Sequence, residues 1–409
     1  MAAAGPDLGA YPVSFALAIL TCALTPAYVL RWHVAFYPST VLEVAIVATV
    51  VAFAVESWRA KAVPVYMTRF TYPAALFLLA GAISVIVPPD HRAALGIYRA
   101  YFIEPIAFFF VLNNVVKTSI QAALVAAGLG LAAVVVGVAN SFVVLNALRH
   151  HTLDLSQTAP VVIYTNANDV ALFLVPLIAL AGSLLLFSPS RPTRIASLVF
   201  LVIAVPATLL SFSRGGYLAL AAVAVGLAIA HKRRWLLLGV AAVAAVVLIL
   251  IPPINRRLAI EVDLSNGSNT LVGRSHLWAA AIEMLKHHIP FGAGLSGFAT
   301  AIAPYWNATH PDRFIYPHNF VLTFWSETGL LGLAAFVWIV VTGFMVGWRG
   351  WRSADLAWKP IHLGVFLALA AVIVHGLVDV PYFKNDLALE FWAILALASA
   401  GPLRRTAVT

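Results

Sequence analysis

Long apolar runs separated by short polar segments recur from one end of this chain to the other. A helix needs roughly 20 apolar residues to cross a hydrocarbon core. Twelve runs approach that length: about 13–30, 40–55, 70–87, 98–116, 120–146, 164–187, 195–212, 215–231, 235–252, 319–346, 361–380 and 387–401. Inside a bilayer every backbone N–H and C=O must be satisfied within the protein, which leaves helices or a closed barrel. The runs are continuous rather than alternating, so they predict helices. The expected fold class is all-α: a polytopic membrane protein of about 12 transmembrane helices, forming a single integral membrane domain over residues 1–409.

One stretch breaks the pattern. Residues 253–318, between the ninth and tenth runs, form a long polar loop with helical character. Within it Gly273–His288 predicts a helix, because Leu277, Ala281, Met284 and His288 recur near helical spacing and Pro290 with Gly292 stops it. A second short helix is expected from about Gly297 to Trp306. The shorter loops 31–39, 88–97 and 147–163 fall on the same side as the long one. Basic clusters such as Lys232-Arg233-Arg234, with Arg59, Lys61, Arg69, Arg349, Arg352, Arg404 and Arg405, mark the opposite side as cytoplasmic. Both termini are then expected inside and the long loop, which also carries Arg313, outside.

Composition agrees with this picture: 62% of residues are hydrophobic, only 10% are charged, and the mean hydropathy is +0.94. Soluble domains carry about 25% charged residues. The net charge of +9 does not call for nucleic acid as a partner, because the basic clusters stand at span ends where topology requires them. Cys22, the single cysteine, lies inside the first run, so no disulfide or cysteine metal site forms within one chain. Met1–Ala10 lacks a basic leader, and the first span is expected to act as the insertion signal.

Candidate chemistry gathers on the outer side. Arg214, in Ser213-Arg214-Gly215-Gly216, is wedged between two runs with almost no loop to carry it. It marks either a topological turn or an anion contact, since guanidinium offers a planar fork of donors that matches phosphate oxygens. The two glycines would let a phosphate group approach the backbone at a helix start. Arg274 follows Gly273 at the loop helix, and either solvates that helix or supplies a second phosphate ligand. His318, after Tyr316-Pro317 and before Asn319, is either an interfacial histidine or a base able to take a proton from a sugar hydroxyl. Arg99, Tyr316 and Asn319 are further candidates for contacting substrate, with Arg31 and Arg149 behind them. Gly292-Ala293-Gly294-Leu295-Ser296-Gly297 matches G-x-G-x-x-G but has no strand before it, and is expected to be a tight loop between helices. Glu261 and Asp263 lack a neighbouring histidine, so no metal is expected. Glu104, Asp169, Glu327, Asp379 and Glu390 lie in or beside spans, where charged groups tend to be paired; Asp379 either stabilises a broken helix or pairs with the outer arginines.

In chain order, Ser213-Arg214-Gly215-Gly216, Gly273-Arg274 with Trp278, Pro290-Phe291-Gly292-Ala293-Gly294, His318-Asn319 and Glu327-Thr328-Gly329-Leu330-Leu331-Gly332 resemble the signature of the O-antigen ligase and polymerase superfamily. The resemblance covers about residues 160–400, including Asn166-Ala167-Asn168-Asp169 and the segment from His375 to Asp379; the first third is similar only in its apolar runs. It implies an inner-membrane glycosyltransferase of the GT-C type whose periplasmic loop, 253–318, forms part of the active site. The implied donor is a glycan on undecaprenyl diphosphate, drawn from the surrounding membrane lipids. For a ligase the acceptor is a sugar of the lipid A core, and transfer is inverting, metal-independent and free of cofactors. By motif, Arg214 and Arg274 would stabilise the diphosphate leaving group and His318 would deprotonate or position the acceptor hydroxyl. Lipopolysaccharide O-antigen ligase is the expected activity. The alternatives are an O-antigen or exopolysaccharide polymerase, a protein O-oligosaccharyltransferase and, from a different class, a transporter.

Overall fold

The computed structural model describes residues 9–35, 37–154, 159–263, 265, 269–306, 314–352 and 355–400. Arg313, Arg404 and Arg405, assigned to sides of the membrane from sequence, lie outside the described residues. The chain opens with α1 (Pro12–Ala23), a 3₁₀ turn at Thr25–Val29 and an antiparallel hairpin of β1 (Arg31–Val34) and β2 (Tyr37–Thr40). α2 (Val41–Arg59) starts at once, because the Thr40 hydroxyl accepts the Glu43 N–H at 3.0 Å and caps it. After α3 (Thr71–Val85), α4 (His91–Tyr98) runs through a π turn into α5 (Glu104–Val115). A reciprocal capping box between Thr118 and Gln121 begins α6 (Ser119–Arg149). There follow α7 (Ala167–Phe187), α8 (Arg191–Leu210), α9 (Arg214–Ala230) and α10 (Arg234–Leu250). The long loop holds α11 (Pro252–Val262), α12 (Thr270–Lys286) and the one-turn α13 (Phe298–Ala301). α14 (Phe320–Trp351), α15 (Lys359–Gly376) and α16 (Asn385–Ser399) complete the described chain.

Among the described residues, seven helical units are long and apolar enough to cross a membrane: α2, the continuous α4–α5 unit, α6, α7, α8, α14 and α15. The number rises to eight if α10 and α11 make one broken span. This overturns the expectation of about 12 transmembrane helices, and the hairpin makes the fold mostly rather than wholly α-helical. The apolar runs are present, but helix does not fill them. α1, α3, α9 and α16 have 12, 15, 17 and 15 residues, and at 1.5 Å per residue the shortest reaches only about 18 Å. α10 ends where Pro252 and Pro253 follow, since the residue before a proline is pushed out of helical backbone. Ile251 accordingly sits at φ −69°, ψ 120°, and the chain bends by 88° into α11.

α7 and α15 occupy the centre. α7 is buried along nearly its whole length and packs on α15, which also meets α9 and α14. At the other extreme α10 buries no side chain, and α2, α6 and α8 expose rows of Val, Leu and Phe. Apolar surface of that extent fits a bilayer rather than water. The protein is thus a polytopic membrane protein, consistent with an inner-membrane location.

The loop is fastened to this bundle at a break in α14. Gly329 has φ 66° and ψ −175°, and a Cβ there would stand 2.4 Å from the Pro290 carbonyl oxygen. The break leaves the Ser326 carbonyl free to accept the N–H groups of Ala293 at 2.7 Å and Gly294 at 3.1 Å, while Leu330 N–H donates to Pro290 at 3.1 Å. Buried Glu327 accepts from Ser296 N–H at 2.7 Å. The glycine-rich segment is therefore a docking turn between helices. Beneath it Leu277, Ala281 and Met284 of α12 bury their side chains with Ala293, Phe298 and Ile302 in a small separate core. The predicted apolar face of the loop helix is real, although the helix ends at Lys286 and leaves His288 exposed. The second expected helix shrinks to α13.

Candidate active site

Asp379, in the turn between α15 and α16, is the point on which the site converges. It is buried, yet both carboxylate oxygens are occupied. Oδ1 accepts from His318 Nδ1 at 2.9 Å and from the Val380 N–H at 3.0 Å. Oδ2 accepts from Asn168 Nδ2 at 2.8 Å and from Arg274 Nη2 at 3.3 Å. Burial by itself would raise this carboxyl, but the hydrogen bond from His318 and the positive charge of Arg274 outweigh it and hold Asp379 well below the usual carboxylate range.

His318 is positioned by its neighbours on both sides. Trp278 Nε1 of α12 donates to the Pro317 carbonyl at 2.9 Å, and His318 itself takes a left-handed backbone at φ 51°. Asn319 caps α14 by accepting the N–H groups of Val321 and Leu322 at 3.0 and 3.1 Å, and its amide donates to the Leu377 carbonyl at 2.9 Å. The start of α14 is thereby tied to the end of α15, two residues before Asp379. With Nδ1–H given to a carboxylate, Nε2 is the ring position free to take a proton.

Arg214 begins α9, whose first turn is capped by Ser213 Oγ accepting Gly216 N–H at 3.2 Å. Its guanidinium pairs with Glu261 of α11 and donates from Nη2 to Thr270 Oγ1 at 2.8 Å. Glu261 in turn accepts from Thr270 N–H and hydroxyl, each at 3.1 Å, and from Leu271 N–H at 3.1 Å, satisfying the start of α12. Arg214 is thus bound to the first turn of the helix whose next turn carries Arg274. Arg257 of α11 lies within electrostatic reach of Arg214, as does Arg274. A Cβ on Gly215 would fall 2.5 Å from the His375 ring, and one on Gly216 would fall 2.5 Å from Ala171. Both glycines serve the close packing of α9 on α15 and α7, and protein fills the space that the sequence reading left open for a phosphate.

The remaining sequence candidates separate from this cluster. The Tyr316 ring packs 5.5 Å from Phe383. Arg99 is held by Glu104 at 3.0 Å and Glu43 at 3.4 Å, and lies 4.5 Å over the Tyr37 ring. Arg31 is exposed beside Tyr28, and Arg149 is exposed at the end of α6. Three residues gain roles that sequence reasoning did not assign: Glu261 as the partner of Arg214, Asn168 as a donor to Asp379, and Lys384, which pairs with Asp169. Adjacency of Asn168 and Asp169 at the start of α7 was their one visible signal. For Asp379, pairing with an outer arginine was one of its two readings, and Arg274 is that arginine.

No curated protein matches the chain at a significant level. Residues 198–337, a stretch that contains Arg214, Glu261, Arg274 and His318, match the family model described as O-antigen ligase, and this supports assignment of the chain to the O-antigen ligase and polymerase superfamily.

Proposed function

We propose that this protein is a lipopolysaccharide O-antigen ligase, a GT-C-type glycosyltransferase. It moves a glycan from undecaprenyl diphosphate to a sugar of the lipid A core at the periplasmic face of the inner membrane. The observation that carries the reading is the shared anchoring of two arginines and a histidine: α12 holds Arg274 and, through Thr270 and Glu261, Arg214, while Asp379 joins Arg274 to His318. In this reaction the acceptor hydroxyl oxygen attacks the anomeric carbon from the face opposite the diphosphate. The carbon–oxygen bond to the diphosphate breaks with inversion, and its electron pair leaves on the carrier. His318 Nε2 takes the hydroxyl proton, and Asp379 orients the ring and stabilises the imidazolium that forms. Arg214 and Arg274 stabilise the charge that gathers on the leaving diphosphate, an effect typically worth about 10²–10³ in rate for one well-placed donor. Guanidinium groups supply that charge without a metal, so a chelator is expected to leave transfer unchanged. Arg99, neutralised by two carboxylates, stays outside the diphosphate contact in this reading.

The decisive assay offers purified protein the lipid-linked donor with core lipid A or with the donor alone. Glycan attached to core supports the ligase, whereas longer carrier-linked chains without attachment would establish the polymerase instead. Uptake of free solute without either product would return the transporter.

A further inference from the structure

The end of α2 carries a cleft of about 870 Å³ lined by Val50, Phe53, Ala54, Trp58, Arg59, Lys61 and Tyr66. The chain shapes it in a simple way. Lys61 takes a left-handed backbone at φ 50°, and Ala62 N–H closes back on the Ser57 carbonyl at 3.0 Å, which ends the helix. The segment that follows is pinned to α5, because Asn114 Oδ1 accepts Val65 N–H at 2.8 Å and its Nδ2 donates to the Val65 carbonyl. One wall is therefore the apolar flank of a candidate membrane span, and the rim carries two exposed aromatics, Trp58 and Tyr66, with two exposed cations.

Among the described residues neither Arg59 nor Lys61 forms an ion pair. The carboxylate nearest in sequence, Glu56, is committed elsewhere: it accepts the N–H groups of Val13 and Ser14 at 2.9 and 3.0 Å, and the Ser14 hydroxyl as well. An occupant must place an apolar chain along Val50, Phe53 and Ala54 and an anionic group at Arg59 and Lys61. It must also sit where Trp and Tyr favour the boundary between hydrocarbon and water. We infer that this cleft is a binding site for one anionic phospholipid, its phosphate held by Arg59 and Lys61 and an acyl chain laid along α2.

A basic residue at a membrane surface contributes roughly fivefold in affinity for anionic lipid, so the pair accounts for about 25-fold. Full-length protein in neutral detergent, given an equimolar mixture of phosphatidylglycerol and phosphatidylcholine, is expected to retain phosphatidylglycerol in native mass spectrometry. R59A/K61A is expected to lose that preference by about 25-fold. Ala54→Trp, which keeps both charges but fills the apolar wall, is expected to reduce retention of the lipid, and millimolar inorganic phosphate is expected not to displace it. R191A/R233A removes equal charge elsewhere and is expected to bind as the parent does. Equal retention of the two lipids, an equal loss in R191A/R233A, undiminished binding in Ala54→Trp, or displacement by phosphate alone would each overturn the site.

Discussion

Arg99 and Arg274 both reach carboxylates buried in the protein, but the balance of charge around them differs. Arg99 is a single cation between Glu43 and Glu104. Around the start of α12, Arg214 and Arg274 stand within electrostatic reach of each other, and each meets one carboxylate, Glu261 and Asp379, with His318 alongside. The first arrangement is saturated with negative charge and holds the hairpin, α2 and α5 together. The second gives each arginine a single carboxylate, a lighter neutralisation that suits the proposed contact with an anionic leaving group. An arginine near a membrane boundary is therefore informative only with its partners counted.

Substitutions can break that contrast. The largest effect is expected from Arg274→Ala, which removes the proposed leaving-group contact and one partner of Asp379 together: transfer measured with purified protein should fall by about 10³-fold. Arg214→Ala should approach it. His318→Ala should slow the chemical step by about 10²-fold while leaving donor binding near normal, a split visible in single-turnover kinetics. Asp379→Asn should cost about tenfold in kcat, through a misoriented imidazole rather than a lost one. Arg99→Ala belongs to the other side of the comparison. It should change the transfer rate by no more than about twofold yet lower the thermal midpoint, because it strands two carboxylates; a loss of activity as large as that of Arg274→Ala would erase the distinction drawn here.

The smallest effect concerns acid. Asp379 is depressed in the folded protein relative to an unfolded value near 3.9. Its contribution to stability is then complete above about pH 4 and is lost only as pH falls further toward the folded value. The difference in thermal midpoint between the parent and Asp379→Asn should be constant through neutral pH and shrink below about pH 4. A difference that shrank already between pH 7 and 5 would contradict the depressed carboxyl.

Local physics was legible in the sequence, and distance was not. The spacing of Leu277, Ala281 and Met284 revealed the buried face of α12, and the apolar run beginning at 319 marked the start of α14, where Asn319, expected only to contact substrate, is the cap. Apolar runs showed where the membrane protein lay, but hydropathy does not report where helix gives way to a 3₁₀ turn at Thr25 or to the bend at Ile251, so spans were counted too generously. Asp379 meets Arg274 across 105 positions and His318 across 61, separations that no periodicity encodes. The glycines after Arg214 carried a real signal of close approach, but not what approaches, and His375 and Ala171 proved to be the visitors.

The break at Gly329 also limits how this protein can be recombined. Since the loop is hydrogen-bonded to the gap in α14, residues 290–297 and 326–330 are one mechanical part that the chain happens to write in two places. A chimera that imports the loop from a relative without its matching gap would meet an intact helix, with no free Ser326 carbonyl to receive it and a side chain where Pro290 must rest. Exchange of loops among such proteins is therefore expected to succeed in pairs of segments, and to fail one segment at a time.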